Sequence, residues 1–156
     1  MTRRTLMSAI PAALMLRTAS AGVQVQAAKA PSAPAPTGPL PSAFFPYASM
    51  KVHPNPKTHS ESRAILKGKL ATGEAIESHA TMLPPGVMPH PPHHHEHSEM
   101  WLIRQGTVEL TINGKTQRLG PGSAAFVESN EVHGIKNVGT IPARYFVVAM
   151  GPGSDK

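Results

Sequence analysis

Residues 89–101 read Pro-His-Pro-Pro-His-His-His-Glu-His-Ser-Glu-Met-Trp, which places His90, His93, His94, His95 and His97 together with Glu96 and Glu99. Another histidine, His133, follows 34 residues after Glu99. Neutral imidazole with carboxylate is the donor set of divalent Mn, Fe, Ni, Co and Zn, and the absence of cysteine excludes thiolate sites. Alternate residues of a strand share a face, so His93 and His95 can address one ion while His94 points away. His95 and His97 have the same alternation. Glu99, just after a tight bend, supplies a carboxylate, and His133 supplies a fourth group only if distant strands close on each other. Three imidazoles and one carboxylate leave one or two positions of a five- or six-coordinate ion for water, dioxygen or substrate, which suits chemistry or ligand binding better than structural zinc.

Outward from this stretch the chain is a series of short β-prone runs broken by turn residues. The expected strands are 63–70, 74–82, 100–104, 107–112, 116–119, 124–127, 132–136 and 144–149. In 107–112, Val108, Leu110 and Ile112 alternate with Thr107, Glu109 and Thr111, and Asn113-Gly114 then supplies the positive φ angles of a type I′ hairpin. Gly120-Pro121-Gly122 and 137–140 mark further turns. Seventeen prolines and thirteen glycines, with charged residues at only 15%, favour turns and strands over helices. The expectation is an all-β domain, a sandwich or barrel, and 156 residues suffice for one such domain.

Residues 1–30 resemble an export signal: Thr2-Arg3-Arg4, an apolar run over 8–16, then small residues with candidate cleavage after Ala21 or Ala27. The Thr-Arg-Arg-Thr-Leu-Met start is similar to a twin-arginine signal. No cysteine follows it to carry a lipid, and the run is too short to span a bilayer, so a soluble periplasmic or secreted protein without a membrane anchor is expected. Residues 31–60 form a Pro-rich arm, with eight prolines between 31 and 56. Within it Phe44-Phe45-Pro46-Tyr47 carries aromatics that should bury on the barrel's outside or on a second subunit. Residues 61–150 are the barrel and 151–156 a tail. The net charge of +6 includes Arg3, Arg4 and Arg17, and no basic run survives beyond them, so nucleic acid is not an expected partner.

The residues named so far resemble two sequence motifs of the cupin superfamily, over about residues 63–150. The first motif falls on Gly86, His93, His95, Glu99 and Gly106, with six rather than five residues after the first glycine. The second falls on Gly122, His133 and Asn137, with Glu128 in place of its proline and Asn130 in place of its glycine. The resemblance implies a single-domain jelly-roll barrel, a double-stranded β-helix, with His93, His95, Glu99 and His133 as ligands of one divalent transition metal. The His95–His97 pair leaves Glu99 nearer than the family's spacing allows. Relatives with this ligand set include dioxygenases, oxalate-degrading decarboxylases, lyases and isomerases, which implies an enzyme acting on a small organic molecule. Small cupins usually pair, which implies a homodimer.

Beside this stand a non-catalytic binding module and a His-rich metal scavenger. His90, His94 and His97 are expected either to face solvent as bystanders or to touch the ligands, with one of them, His97 or His94 first, a candidate proton shuttle. Trp101, Ile103, Phe126 and Tyr145, with Val147, are expected inside the barrel as core or as the wall of a substrate pocket. Met82, Met88 and Met100 are candidates for making the site's surroundings apolar and adaptable, with plain space-filling as the default reading. Arg63 and Arg104 are candidates for holding a substrate carboxylate. Asn137 is expected to orient the His133 strand through turn hydrogen bonds, and Glu128 to be an exposed turn residue.

Overall fold

The short runs become nine strands in the computed structural model, which describes residues 38–155. They are β1 (His53–Pro54), β2 (Glu61–Lys69), β3 (Ala75–Leu83), β4 (Ser98–Gln105), β5 (Val108–Ile112), β6 (Lys115–Leu119), β7 (Ala124–Val127), β8 (His133–Asn137) and β9 (Ala143–Met150). Among the described residues the helical content is one 3₁₀ turn, Tyr47–Ser49. The expected export signal over 1–30, and the start of the Pro-rich arm, lie outside the described residues.

Every pairing is antiparallel, and two sheets result: β1-β2-β3-β9-β4-β7 and β6-β5-β8. The β5–β6 hairpin closes through Asn113 and Gly114 at φ 47° and 77°, as the sequence predicts, with Ile112 opposite Lys115. Strict alternation in β9 buries Ala143, Tyr145, Val147 and Ala149, and in β4 it buries Glu99, Trp101 and Ile103. These inward residues meet Val108, Leu110 and Ile135 of the smaller sheet, so the core lies between the sheets of a jelly-roll barrel. Full burial of each large aliphatic side chain contributes about 1.5–3 kcal/mol. Asn137 is fully buried: its amide donates to the carbonyls of Leu83 and Ile141, and its Oδ1 accepts from the Gly139 N–H. That satisfied amide anchors the end of β8 to the turn after it, in the role expected of it. Glu128 is exposed, also as expected.

Several expectations are corrected. Phe126 is 53% exposed beside its cross-strand partner Met100, so it is not core, and it lines a separate groove with Leu110, Ile112 and Leu119 rather than the cavity beside the histidines. Ile103 is core. Met88 and Met100 are largely exposed and do not form an apolar lining. Arg63 and Arg104 hold no ligand pocket; their guanidinium groups lie 4.6 and 5.4 Å from the centre of the Tyr47 ring. Arg144 donates to the Tyr47 hydroxyl at 2.9 Å, so Tyr47 pins the arm to the barrel's exterior. Phe44 and Phe45 do not share that burial, at 98% and 41% exposed. Among the described residues no helix is long and apolar enough to cross a membrane.

Candidate metal centre

The loop between β3 and β4 carries the histidines to one end of the barrel. His93 is not in a regular strand, contrary to the reading of 93–95 as strand; it forms an isolated bridge with His133, each backbone N–H donating to the other's carbonyl at 3.0 and 2.9 Å. The His95 carbonyl accepts from Asn130 N–H at 2.8 Å, and Asn130 occupies the left-handed region at φ 63°. Pro92 packs on Gly134, where a Cβ would lie 3.2 Å from the proline ring. Glu99 projects inward from β4 and His133 from the first position of β8.

These elements bring ligand atoms of His93, His95 and His133 within 4.8 Å of one another, and equally those of His95, His97 and Glu99. Glu99 links the two sets: its Oε1 lies 3.2 Å from His95 Nε2 and 3.6 Å from His97 Nε2, and its Oε2 lies 3.3 Å from His133 Nε2. His97 stacks on His95 at 3.5 Å between ring centres and so stands closer to the cluster than a bystander. His94 belongs to neither set and is exposed. His90 is exposed, its ring edge-on to His93 at 4.3 Å.

The donor chemistry fits a cation. His95 Nδ1 lies 2.8 Å from the His97 carbonyl and His133 Nδ1 2.8 Å from the Glu131 carbonyl. A carbonyl only accepts, so both Nδ1 atoms carry a proton, and each ring, when neutral, turns an Nε2 lone pair toward Glu99. His95 Nε2, His133 Nε2 and Glu99 Oε2 are buried without a hydrogen-bond partner. Lone pairs converging on a carboxylate in a buried place need a shared positive charge.

Protons can supply part of that charge. The Glu99 carboxylate raises the His133 pKa above its usual value, against the effect of burial. Burial alone would raise Glu99, but His133, His95 and His97 outweigh it and hold its pKa below the usual carboxylate range. Desolvation, reinforced by His90, His133 and His95, lowers His93 to about 4, so its ring is neutral and available as a ligand at neutral pH.

A cavity of about 230 Å³ opens beside the cluster, lined among others by His93, Glu99, Trp101, Tyr145 and Val147. Trp101 and Tyr145, two of the expected pocket residues, stack at 5.4 Å on the cavity side of the core. Burial pushes the Tyr145 phenol far up, so it stays protonated. The cavity also takes in His53, Asn55 and His79, which the sequence reading missed. For His79 a signal existed: Glu77, His79 and Thr81 alternate along one strand face.

Comparison with known proteins agrees with this architecture. A family model described as "Cupin domain" matches residues 79–149. The mannose-1-phosphate guanylyltransferase ManC of Salmonella typhimurium is 33% identical over 58 residues, 37% of this chain and 12% of that protein. The mannose-1-phosphate guanylyltransferase of Klebsiella pneumoniae is 32% identical over 71 residues, 46% of this chain and 15% of that protein. The chain therefore matches only a small part of those relatives. An RmlC-like cupin from Shewanella frigidimarina superposes with a TM-score of 0.61 at 13% identity, over 74% of this chain and 96% of that one. A predicted oxalate decarboxylase from Thermotoga maritima gives 0.59 at 20% identity, over 70% and 99%. The polyketide cyclase RemF from Streptomyces resistomycificus gives 0.56 at 23% identity, over 70% and 79%. The domain match and these neighbours give residues 79–149 a cupin domain and the chain a cupin fold, with a cluster of three histidines and a glutamate at the barrel's end.

Proposed function

We propose that this cupin binds one divalent transition metal through His93, His95, Glu99 and His133 and is an enzyme acting on a small organic molecule. The observation that carries the reading is the set of buried, partnerless Nε2 and Oε2 atoms on His95, His133 and Glu99, two of whose rings have their tautomers fixed by backbone carbonyls. A bound Mn, Fe, Co, Ni or Zn ion would act as a Lewis acid toward substrate oxygens or, if redox-active, toward dioxygen. Around it the barrel excludes bulk water, with Trp101, Tyr145 and Val147 forming the apolar side of the cavity. Dioxygenase, decarboxylase, lyase and isomerase chemistry all fit such a site. Assay of the Mn, Fe and Zn forms against phenols, diketones and small acids tests the enzymatic reading; tight ligand binding without turnover would replace it with a binding module.

His97 supports a second ligand set, since it reaches the same carboxylate. Under the proposed assignment His94→Ala leaves metal content unchanged, while His97→Ala weakens metal affinity by about 10- to 100-fold, as removal of a group supporting the ligands does. Elemental analysis with competitive chelation reads both. A loss of all metal in His97→Ala, with retention in His93→Ala, would move the ion to the second set. More than one tightly held ion per chain would favour scavenging.

Export and dimerisation complete the proposal. Export rests on the signal-like sequence of 1–30, and fractionation of cells expressing the full chain checks it. Pairing rests on the outer face of the larger sheet, where Met100, Leu102 and Phe126 are 39%, 41% and 53% exposed. Light scattering should give twice the chain mass, and Phe126→Glu should give the monomer; a monomeric wild type would remove the idea.

A further inference from the structure

On the interior face of the larger sheet, Glu77, His79 and Thr81 of β3 point the same way as Tyr145 and Val147 of β9 and Glu99 and Trp101 of β4. The register makes rows across the three strands. Glu77 pairs with Ala149, which pairs with Glu99; His79 pairs with Val147, which pairs with Trp101. Neighbouring strands are about 4.8 Å apart, so β3 and β4 stand roughly 10 Å apart with only alanine and valine side chains between them. Those short side chains leave the cavity open, with the Glu99 cluster on one wall and His79 on the other.

His79 is oriented there by a charge. Both oxygens of Glu77 lie close to its Nδ1, at 3.1 and 3.0 Å. A carboxylate only accepts, so Nδ1 carries the proton and Nε2 presents a lone pair, the arrangement of an imidazole held as a general base. As a partly exposed hydrogen-bonded couple it would contribute about 1 kcal/mol to stability at most. The cavity's charge adds a second constraint. Among the described residues no lysine or arginine lines it; Asn55, Ser62 and Thr81 offer neutral hydrogen-bonding groups, and Glu61 adds a carboxylate to Glu99. Arg63, Arg104 and Arg144 are engaged at Tyr47 on the exterior. An anionic substrate would therefore meet carboxylates and no side-chain cation.

We infer that His79, oriented by Glu77, is the proton-transfer group of this cavity, and that its substrate is a small uncharged hydroxycarbonyl compound spanning the space to the Glu99 cluster. The inference rests on the metal-binding reading above. In the step, Nε2 takes a proton from the hydroxyl-bearing carbon next to the carbonyl. The C–H electron pair becomes the C=C bond of an enediolate, and the carbonyl π pair moves to oxygen, on the side of the cluster. The imidazolium returns the proton to the former carbonyl carbon, and a hydroxyl proton shifts between the two oxygens. The net change is a hydroxyketone–hydroxyaldehyde isomerisation that needs no oxidant.

The test uses the full chain loaded with zinc, dihydroxyacetone in D₂O as the probe, and proton NMR to follow C–H exchange. Nitrogen-15 NMR of the histidines, with His79 assigned through His79→Gln, reads the tautomer independently of turnover. The wild type should hold His79 with the proton on Nδ1 and exchange the probe; His79→Gln should exchange it about 100-fold or more slowly with zinc content intact. Glu77→Leu should lose the tautomer bias and most of the exchange, and Glu77→Asp should recover part of both. A wild type with the His79 proton on Nε2, exchange unchanged in His79→Gln, or a zinc-loaded wild type that does not exchange the probe overturns this inference alone. A wild type that holds no zinc overturns the metal reading with it.

Discussion

His133→Ala and His95→Ala each lose stoichiometric metal while the barrel stays folded. Each ring has its Nδ1–H committed to a backbone carbonyl, so its only lone pair is the Nε2 that faces Glu99. Alanine removes that lone pair from the proposed ligand set; His94 is exposed and His90 stands edge-on to His93, and metal retained through His97, whose Nε2 lies 3.6 Å from the same carboxylate, would instead point to the second set. Neither ring belongs to the hydrophobic core cluster, but His133 is fully buried and edge-on to Trp101 at 6.2 Å, so His133→Ala also leaves a cavity beside the core and lowers stability without unfolding the barrel. The readout is twofold. Elemental analysis should fall from about one ion per chain to a trace, and the thermal stabilisation given by excess metal should vanish. For the wild type that stabilisation is about 4 kcal/mol at a metal concentration a thousandfold above Kd. Metal at full occupancy in both variants would overturn the ligand assignment. Unfolding without metal loss would show the imidazoles to be structural.

Much of this architecture is written locally in the chain. The hairpin at Asn113-Gly114 follows from two residues that tolerate positive φ, and strands β5 and β9 follow from strict alternation of apolar residues. The convergence of His93, His95 and Glu99 follows from spacing within one loop and one strand, and that of His133 from matching the resemblance across two motifs. What escaped depends on pairing rather than pattern. Phe126 sits in Ala-Ala-Phe-Val, which carries no polar alternation to reveal its inward face; only the pairing of Val127 with Glu99 sets Phe126 outward. Arg104 follows the inward Ile103, so its outward direction was readable, but its aromatic partner Tyr47 is 57 positions away by number and visible only in three dimensions. The two-residue strand β1, with His53, is too short to have a period. His79 and Glu77 carried a legible alternation, yet only the rows Glu77–Ala149–Glu99 and His79–Val147–Trp101 show that they face the cluster.

Gly106→Ala should be the most destabilising single methyl that can be added to this barrel's turns. Gly106 has φ +80°, and a Cβ there would stand 2.7 Å from the Ala143 Cα and 3.1 Å from the Pro142 carbonyl oxygen. Two costs therefore coincide. The left-handed conformation penalises an L side chain by about 1–2 kcal/mol. The contact with backbone atoms cannot be relieved by a rotamer change, so the start of β9 must move. Ala143 is fully buried opposite Leu83, and a shift there loosens core packing as well. Together these place the loss at about 3 kcal/mol or more, and for a domain of this size each kcal/mol lowers Tm by about 4–8 °C. Gly114→Ala provides the comparison, since Gly114 has a similar φ of +77° but no atom within 4 Å of the added Cβ. It should lose only the conformational part, about 1 kcal/mol. Because β9 supplies Val147 and Ala149 between the two walls of the cavity, the Gly106 variant should also bind metal more weakly, whereas the Gly114 variant should bind it normally. Equal losses of Tm in the two variants would show that the close approach of Gly106 to Ala143 is absorbed by the loop and does not hold the barrel's register.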